Sequence, residues 1–260
     1  MTDIASFAET AFLTKDDNTM TCNYAAQMGD LKLLMDARNR GCPWDEEACV
    51  YAVKSGSVPC LRYLRENGCP WDKRTCYYAV ERGNIECLKY AHENGCPWDG
   101  YTCEIAVEMG NIDILKYLNE NGCPWDEYAC SSAARYRRLE ILKYLHENGC
   151  PWDEKTCEYA IKSDSLDILE YARKNGCPWD GKACEVAVQM GNMNLLKYLR
   201  DNGCPWDKDS CTSAAKYGRL ELLKYLHENG CPWDKWTCHY AEKYGHSECL
   251  EYAKENGCPY

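Results

Sequence analysis

Twenty-one cysteines and five histidines are the residues of this 260-residue chain that could do the most chemistry. Thiols at this density can close disulfides, hold a metal, or act as nucleophiles activated by a neighbouring base, and each use needs its own spacing. A zinc site gathers four ligands from C-x2-C or His-bearing spacings, but neither a short cysteine pair nor a histidine recurs regularly. His92, His146, His227, His239 and His246 fall in exposed or variable positions, with no recurring nucleophile or orienting acid beside them. No catalytic residue, metal or cofactor is therefore expected. The net charge of -11 argues against a nucleic-acid phosphate backbone or an anionic membrane as default partner. No stretch approaches a membrane span, and Met1-Thr2-Asp3-Ile4 lacks the basic flank of a secretory signal.

The cysteines are positioned by a repeat. Gly-Cys-Pro recurs from Gly41 to Gly257 at intervals of 27 residues, and a second cysteine column runs in step from Cys22 to Cys238. The two columns hold 18 of the 21 cysteines, and Pro-Trp-Asp after the first holds 8 of the 9 tryptophans, so the odd composition is one unit multiplied. In the type unit, Pro70 to Cys96, Asp72 can cap a helix starting at Lys73, while Trp71 and Cys76 can form a hydrophobic staple. That helix carries Cys76, Ala79 and Val80 and stops near Gly83. A second helix follows, with the stripe Ile85, Cys87, Leu88 and Ala91, and ends at Asn94-Gly95. The spacing predicts an all-α solenoid of αα-hairpins, with helices of about nine to eleven residues and connections of about four.

Equivalent cysteines in successive repeats stand about one helix spacing apart, too far for a disulfide within a column. Within a junction the pair is C-x6-C, as in Cys69 and Cys76, and occasional disulfides there stay open. Cys60, Cys87 and Cys249 occupy a column filled elsewhere by Leu33, Ile114, Ile141, Ile168, Leu195 and Leu222, so cysteine serves as a small core residue. A reducing cytosol or nucleus follows. The repeated tryptophans are expected to pack in the core between units. Tyr63, Tyr90 and Tyr117 recur too regularly to choose a partner.

The run Ala79-Val80-Glu81-Arg82-Gly83-Asn84-Ile85-Glu86-Cys87-Leu88-Lys89-Tyr90-Ala91 resembles the ankyrin signature, over nearly the whole chain from about residue 16. The period falls short of the family's value of about 33 residues, and the missing residues are those of its projecting β-hairpin. The pattern is similar to the compact Cys-Pro-Trp-Asp arrays of giant DNA viruses and protists. On this reading residues 1–15 form a capping helix, residues 16–258 form nine repeats in one continuous curved array, and residues 259–260 form a tail. Glu242 and Ser247 make the last repeat a cap.

The resemblance implies a non-enzymatic scaffold or adaptor that binds a partner protein on its concave face. That partner is a host protein if the chain is viral, and the chain itself is expected to be a monomer. Alternatives are a cysteine-rich metal or redox-linked protein and a structural particle component. The resemblance places the pair before each turn glycine on the concave face, and these pairs include Met28, Arg82, Met109, Arg135, Tyr136, Met190, Tyr217 and Tyr244. A second variable column, near the start of the first helix, includes Tyr101, Tyr128 and Trp236. In the fifth repeat Arg135-Tyr136-Arg137-Arg138 replaces the turn glycine by Arg137. Three arginines on an acidic protein could anchor an acidic or phosphorylated motif.

Overall fold

The computed structural model describes residues 18–125 and 127–259. The capping helix expected at residues 1–15 lies outside them. The chain falls into two compact units, one ending at Pro124 and one beginning at Trp125. Unit 1 contains α1 (Asn18–Gln27), α2 (Leu31–Asn39), α3 (Glu46–Lys54), α4 (Val58–Glu66), α5 (Lys73–Glu81), α6 (Ile85–Glu93), α7 (Gly100–Met109) and α8 (Ile112–Glu120). Unit 2 contains α9 (Glu127–Arg135), α10 (Leu139–Glu147), α11 (Glu154–Lys162), α12 (Leu166–Lys174), α13 (Gly181–Met190), α14 (Met193–Asp201), α15 (Lys208–Lys216), α16 (Leu220–Glu228), α17 (Lys235–Lys243) and α18 (Ser247–Glu255). Among the described residues there is no strand, and no helix is long and apolar enough to cross a membrane.

The boundaries follow from local chemistry. Asp45, Asp72, Asp153, Asp180, Asp207 and Asp234 each accept a hydrogen bond from a backbone N–H two residues on, fixing the start of a first helix. At the far end of α6, Gly95 adopts φ 83° and the Cys96 N–H reaches back to the Ala91 carbonyl at 2.9 Å. That left-handed Schellman ending needs glycine, which is why Asn-Gly recurs. Asn94 Nδ2 donates to the Tyr90 carbonyl at 2.8 Å and tightens it. Six residues, such as Asn94 to Asp99, then lead to the next repeat, rather than the expected four, because both the ending and the cap lie outside the helices.

Within each unit the first helices pack against one another, α1 on α3 on α5 on α7 in unit 1 and α9 on α11 on α13 on α15 on α17 in unit 2. Second helices form the other layer, with α2 on α4 on α6, α10 on α12, and α16 on α18. Between the layers lie the alanines, leucines and cysteines. All 21 cysteines are free and buried, including Cys60, Cys87 and Cys249 in the aliphatic column. The thiols are matched to the backbone. Cys69, Cys96, Cys177, Cys204, Cys231 and Cys258 donate to the carbonyls of the Asp caps that begin their own repeats, at 3.1–3.4 Å. Cys22 Sγ donates to the Cys42 carbonyl at 3.6 Å, and Cys76, Cys130 and Cys211 reach Cys96, Cys150 and Cys231 in the same way at 3.9 Å. The cysteine neighbours are therefore C-x19-C within one repeat, and the C-x6-C junction forms no disulfide.

The tryptophans correct the sequence reading. Each tryptophan of the Pro-Trp-Asp column is half-buried rather than part of the core. In seven of them one face stacks beneath a side chain six residues earlier, at the end of the preceding repeat. Arg38, Arg65, Arg173 and Arg200 lie 3.7–4.4 Å from the ring centroids of Trp44, Trp71, Trp179 and Trp206. His92, His146 and His227 stack on Trp98, Trp152 and Trp233 at 3.6–3.9 Å. The recurrent tyrosines complete the joint, with Tyr63, Tyr90 and Tyr117 edge-on to Trp44, Trp71 and Trp98 at 6.1–6.4 Å. Three histidines thus sit in a structural column, not an exposed one, because a planar side chain is what the indole face accepts. In the last repeat Trp233 packs against the cluster of Cys238, Ala253 and Cys258, while Glu242 and Ser247 are exposed.

Candidate functional site

The first-helix layer carries the side chains on which recognition would depend. Large apolar groups exposed among the described residues are Tyr24, Met28, Met35, Tyr101, Met109, Tyr128, Leu166, Met190, Tyr217, Trp236 and Tyr244. Eight of these 11 come from the two variable columns singled out in the sequence, at the second position of a first helix or at its C-terminal end. Tyr136 is half-buried and Arg82 is exposed beside Glu81, 3.5 Å away.

This layer holds both ion pairs and cation–ring contacts. In unit 1, Arg74 is held by Asp72 at 2.8 Å and by Glu47, with Glu46 at 3.7 Å, and Lys73 meets Asp99 at 2.8 Å. Tyr77 stacks on Tyr101 at 5.6 Å, Tyr78 stands edge-on to Tyr77 at 4.9 Å, and Lys54 Nζ covers Tyr78 at 3.7 Å. Lys73, Arg74, Tyr77, Tyr78, Asp99, Tyr101 and Thr102 line a cleft of about 390 Å³. Tyr77 and Tyr78 were missed in the sequence. Their positions also vary from copy to copy, which is the signal that singled out their neighbours.

In unit 2, Lys208 meets Asp234 at 3.0 Å as Lys73 meets Asp99, and further cations lie on tyrosines. Arg135 stands 5.6 Å from Tyr136 and 5.8 Å from Tyr159, Lys216 lies 5.2 Å from Tyr217, and Lys243 lies 5.5 Å from Tyr244. Lys155 stands 5.1 Å from Tyr128. At the end of the unit Trp236, His239, Glu242 and Lys235 line a shelf of about 290 Å³.

The turns between the two helices of each repeat form a row. Ser55 Oγ donates to the Ala26 carbonyl at 2.9 Å and Asn84 Nδ2 to the Gly56 carbonyl at 3.4 Å in unit 1. In unit 2, Ser163 Oγ donates to the Ala134 carbonyl at 3.0 Å, Asn192 Nδ2 to the Asp164 carboxylate at 3.2 Å, and His246 Nε2 to the Lys216 carbonyl at 3.0 Å. Arg137 and Asp164 occupy the left-handed region, with φ 59° and 52°, where other turns have glycine.

Hydrogen bonds with Cys76 and Cys184 lower Cys96 and Cys204, but most of the shifted thiols are raised and poorly suited to nucleophilic chemistry. Burial pushes Cys22 and Cys87 up to about 11 and Cys258 up to about 12, and a hydrogen bond to Cys69 together with burial raises Cys49. Among the described residues no three His, Cys, Asp or Glu side chains are grouped to hold a metal.

Stacked helix pairs with exposed, variable first helices define an all-helical repeat protein. Residues 49–92 in unit 1 and 211–257 in unit 2 match the family of ankyrin repeats in many copies. Those two stretches carry ankyrin repeats, and the helix pairs fit an ankyrin-like array. No match was found among curated proteins. Ankyrin repeats generally mediate protein–protein interaction, and proteins built from them are typically non-enzymatic scaffolds.

Proposed function

We propose that the chain is a non-enzymatic scaffold that holds a partner protein on the first-helix face of each unit, the counterpart of the concave face of ankyrin arrays. The observation that carries this reading is the placement of the exposed apolar side chains. Eight of the 11 occupy two columns on that face, whereas exposed apolar groups without a role would be scattered. Tyr, Trp and Met are also the residue types that enrich interface cores, since they offer large contact area at low ordering cost. Twenty-one buried free thiols support a working place in a reducing compartment, the cytosol or nucleus.

Proximity labelling in the native cell tests the reading. Intact chain and a variant carrying Tyr101→Ala, Tyr128→Ala and Trp236→Ala are compared, with circular dichroism confirming that both are folded. The variant is expected to lose its principal labelled partners, each aromatic truncation at an interface centre weakening binding by about 1–2 kcal/mol. An unchanged set of partners at unchanged yield would remove the face from consideration.

A further inference from the structure

The turn row of unit 2 departs from that of unit 1 in three ways at once. In unit 1 the four-residue turns run Gln27–Asp30, Lys54–Ser57, Glu81–Asn84 and Glu108–Asn111, and hold two cations and three carboxylates. The corresponding turns of unit 2 run Arg135–Arg138, Lys162–Ser165, Gln189–Asn192, Lys216–Arg219 and Lys243–His246. They hold seven cations, Arg135, Arg137, Arg138, Lys162, Lys216, Arg219 and Lys243, against the single carboxylate of Asp164. Asn192 already bonds that carboxylate, and Lys162 pairs with Glu158. Among the described residues no carboxylate pairs with Arg135, Arg137, Lys216, Arg219 or Lys243.

The same turns have given up local stability. Among the described residues the four second helices of unit 1 are each capped by a side chain, from Asp30, Ser57, Asn84 and Asn111. In unit 2 only Asn192 does this, and Arg138, Ser165, Arg219 and His246 make no side-chain cap bond. An arginine at that position both loses the cap and places a cation at the positive end of the helix dipole. Arg137 adds a left-handed backbone that unit 1 assigns to glycine at every turn. Asp164 also takes the left-handed region, but the departures at Arg137, Arg138 and Arg219 each add a cation, and local rules broken together in one row mark a site kept for binding.

We infer that the turn row of unit 2 takes an extended acidic segment of the partner protein, its carboxylates meeting the cations turn by turn. This rests on the scaffold reading and adds the chemistry of the segment. The occupant follows from charge complementarity. The chain as a whole carries -11, so an acidic segment is attracted only within about a Debye length, about 8 Å, of this row and is repelled elsewhere. Geometry sets the spacing. Helices pack about 10 Å apart and an extended chain rises about 3.3 Å per residue, so successive turns fall opposite about every third residue. Five turns span about 40 Å, or about twelve residues of peptide.

The test uses the full chain and a fluorescein-labelled peptide of about twelve residues with Glu at every third position among Gly and Ser. Comparison probes are the same residues with the Glu grouped together and a ribonucleotide oligomer of equal charge. The variant Arg137→Gly, Arg138→Asn, Arg219→Asn installs residues that unit 1 uses in this row, so it is expected to melt higher than the parent. Anisotropy should show the spaced peptide binding the parent more tightly than the grouped one, and the variant losing about tenfold or more in affinity. Unchanged affinity in the variant, no binding of the spaced peptide at low salt, or equal binding of the oligomer would overturn the inference. If the peptide fails while the aromatic variant still loses its labelled partners, the scaffold reading stands without it. If both fail, neither does.

Discussion

Units 1 and 2 are written in the same 27-residue unit and share a buried skeleton, yet they differ at one edge. Both have the Asp caps, the Cys–carbonyl bonds, the Trp–Tyr joints and the Asn-Gly endings. Unit 1 also keeps glycine and a capping side chain at every helix–helix turn, and its first-helix cations Arg74 and Lys73 are bound to carboxylates. Unit 2 relaxes the turn rules, and its turn cations Arg135, Lys216 and Lys243 lie on aromatic rings. The contrast teaches that repetition fixes what the stack needs, and that the tolerance left over is concentrated where a repeat meets solvent rather than its neighbour. Each perturbation below either treats the units alike or tells them apart.

Alkaline pH should have the largest effect and treat them alike. Thiols held above the ordinary value of 9.0 by burial and thiol–thiol hydrogen bonds include Cys22, Cys49, Cys60, Cys76 and Cys87 in unit 1. Cys130, Cys157, Cys184, Cys211, Cys249 and Cys258 are their counterparts in unit 2. A raised folded value means that the unfolded chain ionises first. The contribution of these thiols is therefore complete below pH 9 and is lost as pH rises towards the folded values, about 11 for Cys22 and Cys87 and about 12 for Cys258. Each costs about 1.4 kcal/mol per pH unit in that window, so melting temperature should be level up to about pH 8.5 and collapse near pH 10. Pulsed hydrogen exchange should show peptides of both units opening over the same range. One unit surviving by a full pH unit would mean that its core differs.

Exchanging turns should tell them apart. Gly83→Arg with Asn84→Arg brings the unit 2 pattern into unit 1, removing a cap worth about 1 kcal/mol and forcing a side chain into the left-handed region for about 1 kcal/mol more. The reverse change, Arg137→Gly with Arg138→Asn, should recover about as much. Denaturant melts of the two variants are expected to move in opposite directions by about 2 kcal/mol. Shifts of the same sign would show that the turns are not interchangeable parts.

The skeleton could be read from the sequence because its signals are local and repeated: Pro-Trp-Asp before a helix, Asn-Gly after one, and Cys60, Cys87 and Cys249 replacing aliphatic residues. What escaped involved partners in different columns. Trp71 recurs, but the group on its face does not, since that column changes among Arg65, His92 and Asn119. The half-burial of the tryptophans and the purpose of three histidines were hidden for that reason. Cys69 bonds a backbone carbonyl 24 residues away, which no spacing of side chains announces. Arg135 to Arg138 stood out as an oddity within one repeat. Its membership in a row appears only when the turns of one unit are counted against those of the other.

The smallest effect examines the edge where the units agree. Arg38, Arg173 and Arg200 stack on their tryptophans and also donate to the carbonyls of Cys42, Cys177 and Cys204. His92 in unit 1 and His146 in unit 2 make the stack at 3.6 and 3.9 Å. His92→Arg and His146→Arg should therefore keep the ring contact and add one charge-assisted bond to the carbonyl of Cys96 or Cys150. Solvent access limits the gain to about 0.5–1 kcal/mol, or a rise of about 1–3 °C for a chain of this size. The two substitutions should be equal within error in thermal melts. Equality would confine the difference between the units to their helix–helix turns. A gain in unit 1 with a loss in unit 2 would extend that difference to the tryptophan edge, and the turn row could then no longer be treated as the one place where this chain relaxed its repeat.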